Sequence, residues 1–266
     1  EGFLSANSSS IHGVMEYDAA LDPYEVEHTR LNTIDSDSFK TAGDQVTWQV
    51  EAPADGWYNL ALHYRQSDKT DFPVFVDVAV DGQIPDRNFA AYPLAYGAGY
   101  QRHTLVNGDG EKLSVYLTEG AHTLSLTISI APLREVMEAL DEIMYGVNDL
   151  ALEITKVAGT NADKYRDLKL SRYIPDLTQT LTGYAEQLRE LESRYRVYSP
   201  SGNRVAVMAS MLIPARQLES LAESPDEIPY RISELSSSSN SANQYLANTV
   251  DNLLRNNLAI DRSKLS

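Results

Sequence analysis

The chain has 266 residues, 42% of them hydrophobic, a formal net charge of -16 and no cysteine. The length suits two domains better than one, and the hydrophobic share is that of a folded protein, which sets disorder aside. Asp and Glu outnumber Lys and Arg by 38 to 22 with no basic stripe, which argues against nucleic acid and anionic membrane surfaces, while the missing cysteines remove disulfides, zinc thiolates and cysteine nucleophiles.

The opening EGFLSANSSSIHG lacks the basic and apolar regions of a signal peptide, so an exported form is expected to have shed its signal. No window approaches the roughly eighteen apolar residues of a membrane span, and insertion into a membrane by this chain is not expected.

From Ser38 to Ile130 the apolar residues recur at every second position between Gly, Pro and Asp turns, the pattern of an antiparallel sandwich. Val46, Trp48 and Val50 share one face of a strand that stops at Pro53. After the turn ADG, Tyr58, Leu60, Leu62 and Tyr64 share one face of the next, so Trp57 points the other way. Val74, Val76, Val78 and Val80 form a third strand closed by Asp81-Gly82, a strong turn pair. Leu113, Val115 and Leu117 and then Leu124, Leu126, Ile128 and Ile130 complete the paired pattern. The stretch NFAAYPLAYGAGYQRH between them reads as a Gly- and Pro-rich loop.

At Pro132 the period changes to about three and a half. Leu133, Val136, Leu140, Ile143, Val147, Leu150, Ile154 and Val157 predict one long amphipathic helix, broken by Gly159. A second seam runs from Ile174 to Tyr198 with Pro175 in its first turn, and a third covers roughly Asn203 to Glu223 with a kink predicted at Pro214. After the SSSSNSAN connector a fourth carries Tyr245, Leu246, Val250, Leu253 and Leu254. Helices with short polar connections argue for a bundle. The closing LAIDRSKLS departs from it and reads as a strand, with Leu258 and Ile260 inward.

The stretch GDQVTWQVEAPADGWYNLALHYRQS resembles the middle of the galactose-binding-like β-sandwich of carbohydrate-binding modules of families 6 and 35. Glu25-Val26-Glu27, Val78-Ala-Val-Asp81-Gly82 and Gly120-Ala-His-Thr-Leu-Ser-Leu126 fall in that family's order. Such modules close with a strand that here follows only after the helices. The resemblance therefore implies an α+β chain of two domains: a jelly-roll, galactose-binding-like antiparallel sandwich formed by 1–132 plus 257–266, and an α-helical bundle, 133–256, inserted before its last strand. The stretch EITKVAGTNADKYRDLKLSRYIPDL resembles the helical region of large extracellular solute-binding lipoproteins of Gram-positive bacteria, which serve sugar ABC transport. Together the two imply a non-catalytic carbohydrate-binding accessory region at the cell surface, with a glycan or oligosaccharide as ligand and a solute-binding domain or transporter as partner. A scaffold that binds no sugar is the alternative, and a polysaccharide-active enzyme the third.

The first resemblance also implies a structural calcium, held by the carboxylates of an E-x-E near the start and an Asp of the closing strand; here these are Glu25, Glu27 and Asp261. Two chain ends could supply several of the six to eight oxygens that Ca²⁺ takes. Otherwise Glu25 and Glu27 are solvated strand carboxylates and Asp261 caps a turn.

Sugar rings stack on aromatic faces while their hydroxyls meet polar side chains. Tyr92, Tyr96 and Tyr100, with Asn88, Gln101 and Arg102 close in sequence, are one candidate surface, and the outward Trp57 is another. The same tyrosines could instead pack their loop against the protein. The five histidines are scattered, and HExxH, GxSxG, Walker and GxGxxG motifs are missing, so no catalytic residue is nominated. Lys164, Arg166, Asp167 and Arg172 form the densest mixed-charge run, either a partner surface or a helix face paired within itself.

Overall fold

The computed structural model describes residues 5–21, 31–159 and 168–266. The chain divides into two compact units, Glu1–Pro132 with Leu254–Ser266, and Leu133–Leu253. Among the described residues no helix is long and apolar enough to cross a membrane.

The first unit is a sandwich of two antiparallel sheets. Its strands are β1 (Ser5–Ala6), β2 (Gly13–Val14), β3 (Thr33–Ile34), β4 (Gln45–Ala52), β5 (Gly56–Gln66), β6 (Val74–Val80), β7 (Tyr92–Leu94), β8 (Gly97–Thr104), β9 (Ser114–Leu117), β10 (Gly120–Ser129) and β11 (Ala259–Leu265). One sheet has the order β1-β4-β10-β6-β7; the other has β11-β5-β8, with β9 also paired to β5, and β2 pairs with β3 alone. Val46, Trp48, Val76, Val78, Leu124 and Leu126 from one sheet share a buried core with Leu60, Leu62, Tyr64, Leu258 and Ile260 of the other. The even positions of β5 face this core and its odd positions, Trp57 to Arg65, face outward, as alternation requires.

The chain re-enters the sandwich through Asn256, which is fully buried. Its N–H donates to Lys40 C=O at 3.2 Å, and its Oδ1 accepts from Lys69 Nζ at 2.7 Å. β11 then pairs antiparallel with β5, Lys264 opposite Ala61 and Leu265 opposite Leu60, with a register shift at Asp261. Leu258 and Ile260 are buried as the alternation predicts, each side chain contributing about 1.5–3 kcal/mol over its exposed state. The last strand thus belongs to the sandwich, and the helices are inserted ahead of it.

The segment read as a loop, NFAAYPLAYGAGYQRH, contains β7 and all but the last residue of β8; its small residues hid the alternation of Tyr92 and Leu94, both of which are buried. The third helical seam is two helices, α3 (Ala206–Ala209) and α4 (Leu212–Glu223), instead of one kinked at Pro214. Pro214 falls in the first turn of α4, where its missing N–H costs nothing, so the break lies one turn ahead of it.

The second unit also contains α1 (Arg134–Ala158), α2 (Leu177–Tyr195) and most of α5 (Ala242–Leu254). α1 ends at Gly159, whose φ of 81° only glycine adopts readily. Val136, Leu140, Ile143, Val147 and Ile154 form its buried stripe, answered by Leu181 and Leu188 on α2, Ala215 and Leu218 on α4, and Leu246 and Leu253 on α5. Arg189 on α2 makes a two-pronged ion pair with Glu219 on α4, and Asn243 on α5 donates to Asn148 on α1. α2 begins at Leu177, so Pro175 precedes the helix instead of lying in its first turn, and Ile174 is buried ahead of it.

Candidate functional site

The sugar-binding candidates of the sequence are dispersed by the fold. Tyr92 on β7 is 5% exposed, its hydroxyl bonded to His103 Nε2 at 2.7 Å and accepting from the Val106 N–H. Burial raises the tyrosine pKa and lowers that of His103. The ring is thus a core element, not an open platform. Tyr100 stands on the outward face of β8, half-buried, under the Arg65 guanidinium at 4.8 Å, with its hydroxyl donating to Thr33. Burial pushes its pKa up to about 12. Arg65 in turn makes two hydrogen bonds to Glu16, so this cluster is internally paired. Tyr96 is half-buried, and Gln101 donates to Ala95 C=O. Asn88 is exposed, and its N–H is capped by Asp86. The three tyrosines therefore do not form one surface.

Trp57 is different. It is 71% exposed on β5 and directly opposite Tyr116 of β9, which is 55% exposed. Their rings meet edge to face, with centroids 5.7 Å apart and planes at 74°. That geometry leaves ring faces open to solvent, and two large aromatics exposed side by side are costly unless something covers them. The pair borders a cleft of about 680 Å³ that also includes Asp81, Gln83, Asp86, Ser114 and His122.

The polar wall of this cleft is built by the turn after β6. Asp81 and Gly82 both adopt positive φ, 51° and 76°, as a two-residue hairpin turn between Val80 and Gln83 demands. The turn aims the Asp81 carboxylate at β10, where it accepts from His122 Nδ1 at 2.7 Å and from the Thr123 N–H at 2.9 Å. His122 Nε2 meets Thr118 C=O at 2.9 Å. Both partners of the ring are acceptors, so the doubly protonated imidazolium satisfies them best, and its pKa is raised by Asp81 first and Thr118 second. Burial alone would raise the Asp81 pKa, but the Thr123 N–H and His122 outweigh it and the net shift is downward. The cleft thus offers aromatic faces beside fixed donors and acceptors.

Sequence alternation nominated Trp57 but passed over Tyr116. The signal was present: with Leu113, Val115 and Leu117 inward, Tyr116 must point out. Asp81 read only as a turn residue and His122 as one of several scattered histidines, because nothing local shows that the turn and β10 meet.

Of the calcium candidates, Glu25 and Glu27 lie outside the described residues, as do Lys164, Arg166 and Asp167 of the mixed-charge run; Arg172 ends a short 3-10 turn. Asp261 has a side chain only 1% exposed. Its Oδ1 accepts from His63 Nδ1 at 2.6 Å, while its Oδ2 is buried without a hydrogen bond, 3.5 Å from Arg262 Nε. Burial raises its pKa, opposed by His63. A buried carboxylate oxygen that accepts no hydrogen bond fits a hard cation, which would have to compete with the Arg262 ion pair and draw its other ligands from elsewhere. Among the described residues no group of three or more His, Cys, Asp or Glu could hold a metal ion.

Residues 135–253 match the family described as bacterial solute-binding protein, 4-helix bundle domain. The matched residues fall within the inserted unit, Leu133–Leu253. Solved structures similar to the chain include a Paenibacillus sp. cycloisomaltooligosaccharide glucanotransferase complexed with cycloisomaltoheptaose, 23% identical over 36% of this chain and 12% of that one, TM-score 0.29. A family 35 carbohydrate-binding module from Clostridium thermocellum is 16% identical over 44% of this chain and 78% of its own, TM-score 0.30. The CBM35 of Paenibacillus barcinonensis is 11% identical over 47% of this chain and 81% of its own, TM-score 0.34. The chain thus spans 12% of the glucanotransferase's length. No curated protein matches the chain.

Proposed function

We propose that the chain is a non-catalytic, extracellular carbohydrate-binding accessory region of a solute-binding protein for sugar uptake, and that its sandwich holds the glycan in the Trp57–Tyr116 cleft. The observation that carries the binding role is the exposed edge-to-face aromatic pair beside Asp81, Gln83, Asp86 and His122. Apolar ring faces of a sugar cover the aromatic surface, while its hydroxyls exchange hydrogen bonds with the polar wall. The uptake role is supported by the bundle domain, whose family is that of bacterial solute-binding proteins. A solute-binding domain or transporter is the partner in this proposal. A structural calcium on Asp261, with Glu25 and Glu27 as further ligands, belongs to the same proposal and is supported by the buried Oδ2, which accepts no hydrogen bond.

Affinity electrophoresis of the whole chain through gels containing neutral polysaccharides tests the glycan site. Retardation is expected on at least one polymer, weakened about tenfold or more by Trp57→Ala or Tyr116→Ala and unchanged by Tyr96→Ala. No retardation on any polysaccharide would instead favour a scaffold that binds no sugar.

A further inference from the structure

One side chain ties together the polar end of the Trp57–Tyr116 cleft. His122 shares its face of β10 with the buried Leu124 and Leu126, so its ring points into the gap between the two sheets, where the side chain is 12% exposed. From there it meets two separate pieces of the cleft wall. Nδ1 reaches Asp81, in the turn after β6, at 2.7 Å, and Nε2 reaches the carbonyl of Thr118, just past β9, at 2.9 Å. Asp81 is held to β10 a second time by the Thr123 N–H. The ring thus joins the hairpin turn to the end of the strand that carries Tyr116, one of the two exposed aromatics.

That link depends on a proton. The Asp81 carboxylate and the Thr118 carbonyl are both acceptors, and only the imidazolium has a donor for each. A neutral imidazole keeps one N–H and turns a lone pair toward the other acceptor, so one half of the link becomes repulsive. The charges around the ring favour the cation: Asp81 touches it, Glu51 of β4 acts on it through space, and Asp86 lines the same cleft. Asp55 and Glu119 occupy the turns at this end of the sandwich, where the Glu119 N–H donates to the Asp55 carboxylate. The bonds to Asp81 and then Thr118 outweigh desolvation and raise the His122 pKa above 6.5. Against its own desolvation, Asp81 is held below 3.8 by the Thr123 N–H and His122. Between these limits both partners are charged and the link is whole.

We propose that protonated His122 is the positioning residue of the glycan cleft, and that its deprotonation frees the Asp81 wall and so gates binding by pH. The gate rests on glycan binding in that cleft. Because the binding form carries the proton, affinity is level below the His122 midpoint and falls by at most about tenfold per pH unit above it.

Two measurements on the whole chain test the gate. NMR titration from about pH 5 to about pH 9 follows the His122 imidazole together with the amide signals of Asp81 and Gly82. The turn signals should move with the midpoint of the ring. Affinity electrophoresis over the same range, in gels of dextran, soluble starch or galactomannan, reads retardation against a polymer-free gel at each pH. Retardation should be level up to that midpoint and decline beyond it. His122→Asn, whose short amide reaches only one of the two acceptors, should bind about tenfold more weakly at low pH and show no decline. His122→Arg keeps donors for both acceptors at every pH, so it should restore binding and abolish the decline. His12→Gln, a histidine paired with Asp35 outside the cleft, should behave as the parent. Retardation that ignores the His122 midpoint, a parental profile in His122→Asn, or turn signals that stay still would each overturn the gate and leave the glycan site standing. No retardation at any pH would remove the glycan site and the gate together, which keeps the two failures distinguishable.

Discussion

His63 Nδ1 donates to Asp261 Oδ1 at 2.6 Å, joining the long strand β5 to a strand 198 residues later. The bond forms at the register shift of β11, where the bulged residue sets its side chain, 1% exposed, beside His63 on the face of the sheet away from the core. Asp261→Ala leaves the His63 donor, 11% exposed, without its partner. A loss of about 2–4 kcal/mol in urea denaturation is expected. Asp261→Asn keeps an acceptor and should lose less. An Ala variant as stable as the parent would show that backbone pairing alone holds β11.

The calcium proposal makes a separate prediction at the same residue. Calcium that binds the folded chain alone raises its melting temperature, and at one hundred times its dissociation constant the gain is about 2.7 kcal/mol. Millimolar calcium should raise the melting temperature and a chelator reverse it, with the response lost in Asp261→Asn. Identical melts with calcium and chelator would remove the metal from the proposed function.

Gly146 lies in the middle of α1, where alanine ordinarily stabilises a helix by about 1 kcal/mol. Here a Cβ would stand 1.9 Å from Tyr184 Oη and 2.7 Å from its Cζ. Since the ring must swing away, Gly146→Ala should destabilise by about 1–2 kcal/mol. In a Tyr184→Ala background the same change should become neutral or favourable, a coupling that a double-mutant cycle measures. Stabilisation by Gly146→Ala alone would show that Tyr184 moves aside freely.

What the sequence revealed, and what it hid, follows the range of the interactions. Val46, Trp48 and Val50, or Leu258 and Ile260, announce their strands because alternation is a local property and burial on one face selects it. The helical seams are local too, and the switch of period at Pro132 marks where the inserted unit begins. The tyrosine segment failed because its face assignment depends on first knowing that it is strand: Tyr92 then turns into the core and Tyr100 outward. The cleft was half legible. Trp57 and Tyr116 each point out by phase, but only register places them opposite one another, and only the Asp81-Gly82 turn brings His122 beside them. Pairings between distant strands carry no local pattern to read.

Lys69 gives a pH dependence whose sign can be worked out. Its side chain is buried where the chain returns to the sandwich, Nζ donating to Asn256 Oδ1, and burial pushes its pKa down from 10.5 to about 7. Between those values the unfolded chain holds a proton at this lysine that the folded chain has released. Stability linked to Lys69 therefore rises with pH through the window, by at most about 1.4 kcal/mol per pH unit, and falls away as pH drops through about 7. Other groups also titrate there, so the comparison is with Lys69→Met, which keeps much of the length and removes the titration. Urea denaturation at pH 7, 8 and 9 should show the parent gaining on the variant at each step. A constant difference between the two would mean that Lys69 keeps its charge when buried, with contacts such as that to Asn256 solvating the ammonium.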